Sequence, residues 1–203
     1  MEEAQNTHIK WKLFSWKSFS RRITMIWQID PTHSQVSFSI RVMGVTTTKG
    51  RFNALRGHLS IDEQNPANSW VEAEVDAASI DTHNKLRDAH LRSAAFFAVK
   101  QYPTIVFQST HVEHVSDQDY KVTGNLSLHG VTKPVTFDVA YHDQRTIKGA
   151  RTGLRVSAKI NRTDFGLGQG MAVQFAASEM ATIEIALEAV QTSAQVREAV
   201  ATS

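Results

Sequence analysis

The feature that most constrains this chain is a strict alternation of apolar and polar residues that recurs from Trp27 almost to the C-terminus. Val36, Phe38, Ile40 and Val42 alternate with Gln35, Ser37, Ser39 and Arg41. Val71, Ala73, Val75 and Ala77 stand opposite Glu72, Glu74 and Asp76. Tyr120, Val122, Leu126 and Leu128 oppose Lys121, Thr123, Asn125 and Ser127. Val135, Phe137, Val139 and Tyr141 alternate with Thr136, Asp138 and His142. Leu154, Val156, Ala158 and Ile160 alternate with Arg155, Ser157 and Lys159, and Ile183, Ile185 and Leu187 with Glu184 and Glu188. Successive side chains of a strand point to opposite faces, so each segment predicts an antiparallel strand with one apolar and one wet face.

The connectors agree with that reading. Asp117-Gln118-Asp119 and His129-Gly130 are hairpin-turn signals, and Asn65-Pro66 is another turn. Gly44, Gly50 and Gly57 punctuate the first strands, where they permit bulges or sharp coiling. One stretch breaks the period. Asp81 to Ser93 reads as one or two helical turns, with Asp81, Thr82 or Asn84 as the cap, Leu86, His90 and Ala94 on one face, and Arg87, Leu91 and Ala95 on the next. Tyr102-Pro103 then returns the chain to a strand through Ile105 and Phe107. The sum is an all-β domain of eight to ten antiparallel strands with a short helical insertion near residues 84–97, built as a sandwich or a closed barrel around one interior. A solid interior and a ligand cavity both satisfy this pattern.

Composition narrows the chemistry. The chain has 203 residues and no cysteine, which fits one domain and excludes disulfides, thiolate metal sites and Cys nucleophiles. It holds no run of 18 apolar residues, so a membrane-spanning helix is excluded. The first 25 residues carry five basic side chains against two acidic ones, leaving 17 basic and 18 acidic in the remainder. The body is therefore nearly neutral, which argues against a nucleic-acid partner. In residues 1–25 the aromatics Trp11, Phe14, Trp16 and Phe19 alternate with charges, so no secretory h-region forms. We expect a disordered or weakly helical extension there, whose residues 9–23 offer a peripheral membrane contact, with Met25 as an alternative start. Residues 26–190 form the expected domain and 191–203 a tail; with no signal peptide, the expected location is cytoplasmic.

Few residues suggest catalysis. On a strand, His111 and Glu113 share a face and His114 points away, which is too few ligands for a zinc site. Asp81, His83, Asp88 and His90 gather near Lys85 and Arg87, where Asp88 and His90 have the types for an acid–base pair. No nucleophile elbow accompanies them. The bland reading is a polar network tying the helix to the sheet, with Arg87 and Asp88 satisfying each other; a polar rim for a ligand head group is a third. Gly166-Leu167-Gly168-Gln169-Gly170 lacks the spacing of a dinucleotide loop.

The same stretches carry a resemblance. Trp27-Gln28-Ile29-Asp30, His33-Ser34, Phe38-Ser39-Ile40 and Gly50-Arg51-Phe52 resemble the opening of the YceI-like family of lipocalin-like, polyisoprenoid-binding proteins. Ser79-Ile80-Asp81-Thr82, then Arg87-Asp88-Ala89-His90-Leu91-Arg92-Ser93 with Phe96-Phe97, is similar to that family's most characteristic block. Tyr102-Pro103, Phe107-Gln108-Ser109-Thr110, Val122-Thr123-Gly124-Asn125-Leu126, His129-Gly130 and Ile160-Asn161-Arg162-Thr163-Asp164-Phe165-Gly166 continue the likeness as far as about Ala189. Two departures stand out. No His occurs near Arg41-Val42-Met43-Gly44, and the stretch Ala176 to Ala181 is unusually rich in Ala, Ser and Glu.

The resemblance implies an extended antiparallel lipocalin-like β-barrel, often a homodimer, whose apolar tunnel holds a polyisoprenoid or comparable long-chain lipid. It implies no cofactor, metal or catalytic residue. Carried onto this chain, the lining is Phe38, Ile40, Phe52, Val71, Val75, Phe107, Leu126, Leu128, Phe137, Val139, Leu154 and Phe175. Arg87, Asp88 and His90 either meet the ligand or brace the helix, and an Arg–Asp pair beside an insertion points to bracing. Three function classes follow: a lipid-binding barrel, a hydrolase or metalloprotein using the His/Asp cluster, and a solid stress-response barrel acting through its surface. An interior larger than its own side chains can fill would select the first.

Overall fold

The computed structural model describes residues 26–62, 64–146, 149–170 and 176–191. The extension at residues 1–25, with its stripe at 9–23, the segment 192–203 and Phe175 lie outside the described residues.

The alternating segments form strands throughout. They are β1 (Ile26–Ile29), β2 (Gln35–Val42), β3 (Thr46–Phe52), β4 (Leu55–Ser60), β5 (Trp70–Asp76), β6 (Ile80–Asp81), β7 (Thr104–Ser116), β8 (Asp119–Leu128), β9 (Val131–Thr146), β10 (Gly149–Asn161) and β11 (Ala177–Gln191). One helix, α1 (Lys85–Arg92), follows β6. All strands join a single antiparallel sheet in the order β1-β4-β5-β7-β8-β9-β10-β11-β2-β3-β6, and β1 also pairs β11, which closes the barrel.

The eleven strands make eight staves. β1 and β2 are two halves of one bent stave, because β11 pairs Ala189 with Ile29 and, further along, Ala186 with Gln35. β3 and β4 are likewise halves of the next stave, broken at Asn53 and Ala54, and β5 and β6, separated by Ala77–Ser79, are halves of the third. The first bend is held by polar groups. Asp30 accepts from the Thr32 amide at 2.9 Å and meets His33 Nδ1 at 2.9 Å. Arg151 of β10 reaches Asp30 at 3.3 Å and Glu188 at 3.2 Å. Asp30, His33 and Glu188 have ligand atoms within 4.8 Å of one another, a spacing that suits a cation, and the Arg151 guanidinium supplies that positive charge.

The hairpin turns fall where the sequence places them, at Asp117–Gln118 and His129–Gly130. The helix is two turns long and capped by Asn84, whose side chain accepts from the Arg87 amide at 3.0 Å. Leu86 is 85% exposed, whereas Leu91 turns towards the barrel interior. The apolar anchor comes instead from the chain just beyond the helix, where Phe96 and Phe97 are buried with ring centroids 5.2 Å apart. Phe97 meets Phe52 edge-on at 5.7 Å, and Phe52 meets Phe38 at 5.6 Å. With Phe165 and Leu167, also buried, these rings close one end of the barrel.

β7 and β8 shift register between Ser109 and His111. The bulge inverts the parity of β7, so Ile105 and Phe107 face inward before it and Val112 after it, while His111 and Glu113 point out. Gly124 of β8 pairs with Ser109 here. A methyl group on Gly124 would collide with the Gln108 carbonyl and stand 2.7 Å from Ser109 Cα and 2.6 Å from the Phe107 ring. The backbone cannot yield without losing the bulge.

Two measurements check these assignments. Gly124→Ala is expected to lower the unfolding free energy by about 1–3 kcal/mol, read as a reduced urea midpoint with an unchanged slope. Hydrogen bonding from His33, supported by the Thr32 amide and Arg151, holds the Asp30 carboxyl at about 2, below the ordinary 3.8. The folded state therefore keeps Asp30 ionised to lower pH than the unfolded chain does. Its stabilisation is complete above about pH 4 and fades as the pH falls towards 2. In Asp30→Asn, urea midpoints across that interval should fall less steeply than in the wild type.

Candidate ligand-binding cavity

Closure of an amphipathic sheet puts every apolar parity on the inside, and eight staves enclose a space about wide enough for side chains or one small ligand. Here side chains do not fill it. A cavity of about 280 Å³ runs along the barrel. Phe107 of β7, Val139 of β9, Leu154 and Val156 of β10, and Ile183 and Ile185 of β11 point inward, yet each is only half-buried. The surface they retain faces the cavity.

Eleven of the twelve residues named for the lining do line it: Phe38, Ile40, Phe52, Val71, Val75, Phe107, Leu126, Leu128, Phe137, Val139 and Leu154. The twelfth is Phe175, outside the described residues. The closed end is formed by the buried Phe96, Phe97 and Leu167. At the other end, half-buried Ile61, Ser69, Trp70, Tyr120 and Tyr141 form the rim. Tyr and Trp carry an apolar ring and a polar tip, which suits a position between tunnel and water.

Arg87, Asp88 and His90 are not part of the lining. Arg87 and Asp88 do not pair with each other directly, as the sequence suggested; both converge on Thr82. Asp88, 6% exposed, accepts from the Thr82 amide at 2.9 Å and from its hydroxyl at 2.6 Å. Arg87 Nε donates to the Thr82 hydroxyl at 2.7 Å and Nη2 to the Thr82 carbonyl at 2.8 Å. Arg92 adds bonds to the Ala78 and Ile80 carbonyls. This is the bracing arrangement, with α1 strapped to β6. His90 is exposed on the far side. Asp81 belongs to another set: it accepts from the His83 amide at 2.8 Å and faces Arg51 at 3.2 Å, and these contacts, the His83 amide foremost, hold its carboxyl below the ordinary range. The His/Asp cluster thus separates into structural contacts, and no carboxylate is assembled against His90.

Three polar lining residues, Ser60, Ser69 and Arg162, were not legible in the sequence. Ser60, at the end of β4, is 1% exposed and lines the cavity. β4 reads Leu-Arg-Gly-His-Leu-Ser, too short and too broken by Gly57 to show its parity. Ser69 lines the rim from an irregular loop and accepts from the Asp62 amide at 2.9 Å. Arg162, 2% exposed, lines the closed end. Its guanidinium donates to the carbonyls of Leu167 (2.8 Å), Gly168 (3.1 Å), Ala177 (3.0 Å) and Ser178 (3.0 Å), so the buried charge is held by backbone dipoles that also fix the approach to β11.

The architecture is that of a closed, up-and-down β-barrel with an internal apolar tunnel, lipocalin-like in plan. The comparisons narrow this further. The model of the YceI-like domain matches residues 27–189, and the chain belongs to that family. A UPF0312 protein of Enterobacter sp. (strain 638) is 37% identical over 161 residues, covering 78% of this chain and 82% of the relative. Among solved structures, Burkholderia cenocepacia BcnA superposes with a TM-score of 0.73 at 24% identity, covering 79% of this chain and 98% of that one. A polyisoprenoid-binding domain from Saccharophagus degradans superposes with a TM-score of 0.64 at 18% identity, covering 82% and 98%. At these identities the two structures speak for the fold.

The bracing assignment of Asp88 has a direct check. Asp88→Ala strips the partner from a buried amide and hydroxyl of Thr82. It is expected to cost about 2–3 kcal/mol of stability, measured by chemical denaturation, while the folded variant takes up an apolar dye as the wild type does.

Proposed function

We propose that this barrel binds a long-chain amphiphile, of the isoprenoid type, within its tunnel, and that it stores or carries the molecule and does not transform it. The observation that supports this most is the state of the interior. Inward-facing aliphatic and aromatic side chains from every stave stop short of one another and leave a continuous cavity of about 280 Å³. A solid barrel would close that space, since protein interiors pack to crystal-like density. An apolar void is costly when empty and is repaid when a hydrocarbon enters, at about 0.8 kcal/mol per buried methylene. A flexible prenyl chain gains that free energy along its whole length with few polar contacts.

The family relationship and the shared fold with a polyisoprenoid-binding domain point the same way. The polar residues of the helical insertion add no competing chemistry, because Asp81, Arg87, Asp88 and Arg92 are committed to holding α1 and β6.

Native mass spectrometry of protein purified without detergent tests the proposal. The expected result is a co-purifying lipid at near-equal stoichiometry, identified after organic extraction. Val156→Trp, which puts an indole opposite Val139 in the mid-tunnel, should abolish that adduct while the far-ultraviolet dichroism stays that of a β-barrel. A clean apo mass, with no uptake of added prenyl quinone, would sink the proposal.

A further inference from the structure

We infer that this protein docks on an anionic lipid bilayer with the plugged end of its barrel, inserting the tip of the β2–β3 hairpin and the first turn of α1. The inference concerns the outer surface and stands apart from what the tunnel holds.

Apolar exposure gathers at that end. Connections in an up-and-down barrel alternate between its ends. The β2–β3 turn, residues 82–103 with α1, the β8–β9 turn and the chain from β10 to β11 therefore share one end, and residues 61–69 and the β7–β8 turn the other. Among the described residues, the exposed large hydrophobics Met43 (78%), Val45 (88%), Leu86 (85%) and Met180 belong to the first end, and Val115 to the second. The Thr82 methyl lies over Gly50 of β3, which sets the start of α1, and Leu86 with it, beside the hairpin.

The hairpin tip has no packing or conformational reason to be apolar. The Val45 amide donates to the Val42 carbonyl at 3.2 Å, and the central residues Met43 and Gly44 take φ of 49° and 71°. Such a turn ordinarily takes Asn, Asp or Gly at both central positions, yet here the first is methionine. Thr46 shares the inward parity of Phe52 but is exposed, so the tip stands clear of the ring. Single apolar residues scattered over a surface need no explanation, but a group of them on two projecting turns at one end does.

Charge decides the partner. Arg41, Lys49, Lys85, Lys133 and Lys159 stand at the same end, all exposed. The carboxylates there are mostly engaged: Asp164 faces Lys133 at 3.6 Å, Asp81 faces Arg51 at 3.2 Å, and Asp88 is buried against Thr82. Glu179 is the exposed carboxylate that remains among the described residues of this end. The described connections at the other end carry Asp62 and Asp117, with Asp119 following, and no Lys or Arg. A protein partner would ask for a shaped apolar face, whereas these side chains project singly from convex turns inside a basic collar. That arrangement suits the headgroup boundary of a bilayer, where apolar tips enter the acyl layer and Lys and Arg stems reach lipid phosphates. Because α1 presents Leu86 outward and Leu91 to the tunnel, the docked end is the wall between bilayer and tunnel.

Sedimentation of the full chain with vesicles of phosphatidylcholine alone, and of phosphatidylcholine mixed with phosphatidylglycerol, tests the inference. The mixed vesicles should bind at least about tenfold more tightly. Arg41→Gln with Lys49→Gln should weaken that binding about tenfold, and Met43→Ser with Val45→Ser about fivefold or more. The melting temperature should hold in both, because all four side chains are exposed. The chain has no cysteine, so Val45→Cys and Val115→Cys each take a single nitrobenzoxadiazole label. On mixed vesicles the label at residue 45 should brighten and shift to the blue, and the label at residue 115 should not. Absence of binding to the mixed vesicles would overturn the inference. So would binding that both double variants leave intact, which would assign the contact elsewhere, as to residues 9–23. A label at residue 115 that responds as strongly as the one at residue 45 would overturn it as well.

Discussion

The barrel depends on the hydrogen bonding of one strand. β11 pairs with β10 from Met180 to Val190, and its other edge is shared between β2 and β1. That sharing closes the ring and satisfies backbone groups that an open edge would leave bare. It also explains the bends. A stave serving one strand along its length while the sheet coils must break somewhere, and the first stave breaks at Asp30–Ser34, where Asp30, Arg151, Ser34 and Glu188 pin the corner. Once the ring is closed, the alternation in each strand commits its apolar face to the inside. The cavity is then a consequence of circumference: the staves hold opposite walls further apart than Val, Ile, Leu and Phe side chains can bridge.

Polar residues in this molecule mostly hold ends and corners. Thr82 receives both Asp88 and Arg87, so two opposite charges are neutralised through one small side chain. Arg92 reaches back across β6. Arg162 gathers four carbonyls from two separate stretches of chain and anchors the start of β11. Each of these arginines donates to backbone carbonyl oxygen, and the effect is to fix the plug of Phe96, Phe97, Phe165 and Leu167 over one end. With that end shut and the other rimmed by Trp70 and tyrosines, the tunnel acquires a direction.

Much of this was legible beforehand, for local reasons. Phe38, Val75, Phe137 and Leu154 sit in long strands with regular alternation, and parity alone assigns them to the wall. The turns at Asp117 and His129 have residues that fit only tight reversals. The helix start at Asn84 follows from capping chemistry. Ser60 and Arg162 were not assigned to the wall, because β4 is short and interrupted and Arg162 lies beyond the last alternating residue of β10. Which of Leu86 and Leu91 turns inward was not legible, because a two-turn helix presents only a narrow stripe, which eight residues cannot specify. Of the metal-like run, His111 and Glu113 lie on the outer face, their orientation set by a bulge that depends on Gly124.

The sequence by itself determined the fold class, the inward parity of the long strands, the turn positions and the absence of thiol chemistry. These are properties of neighbouring residues, and neighbouring residues carry them. Tertiary structure alone decided that the sheet closes on β11, that eleven strands act as eight staves, and that the space within stays open. Those outcomes depend on how far apart walls stand and which distant groups meet. Side-chain periodicity records direction but not distance.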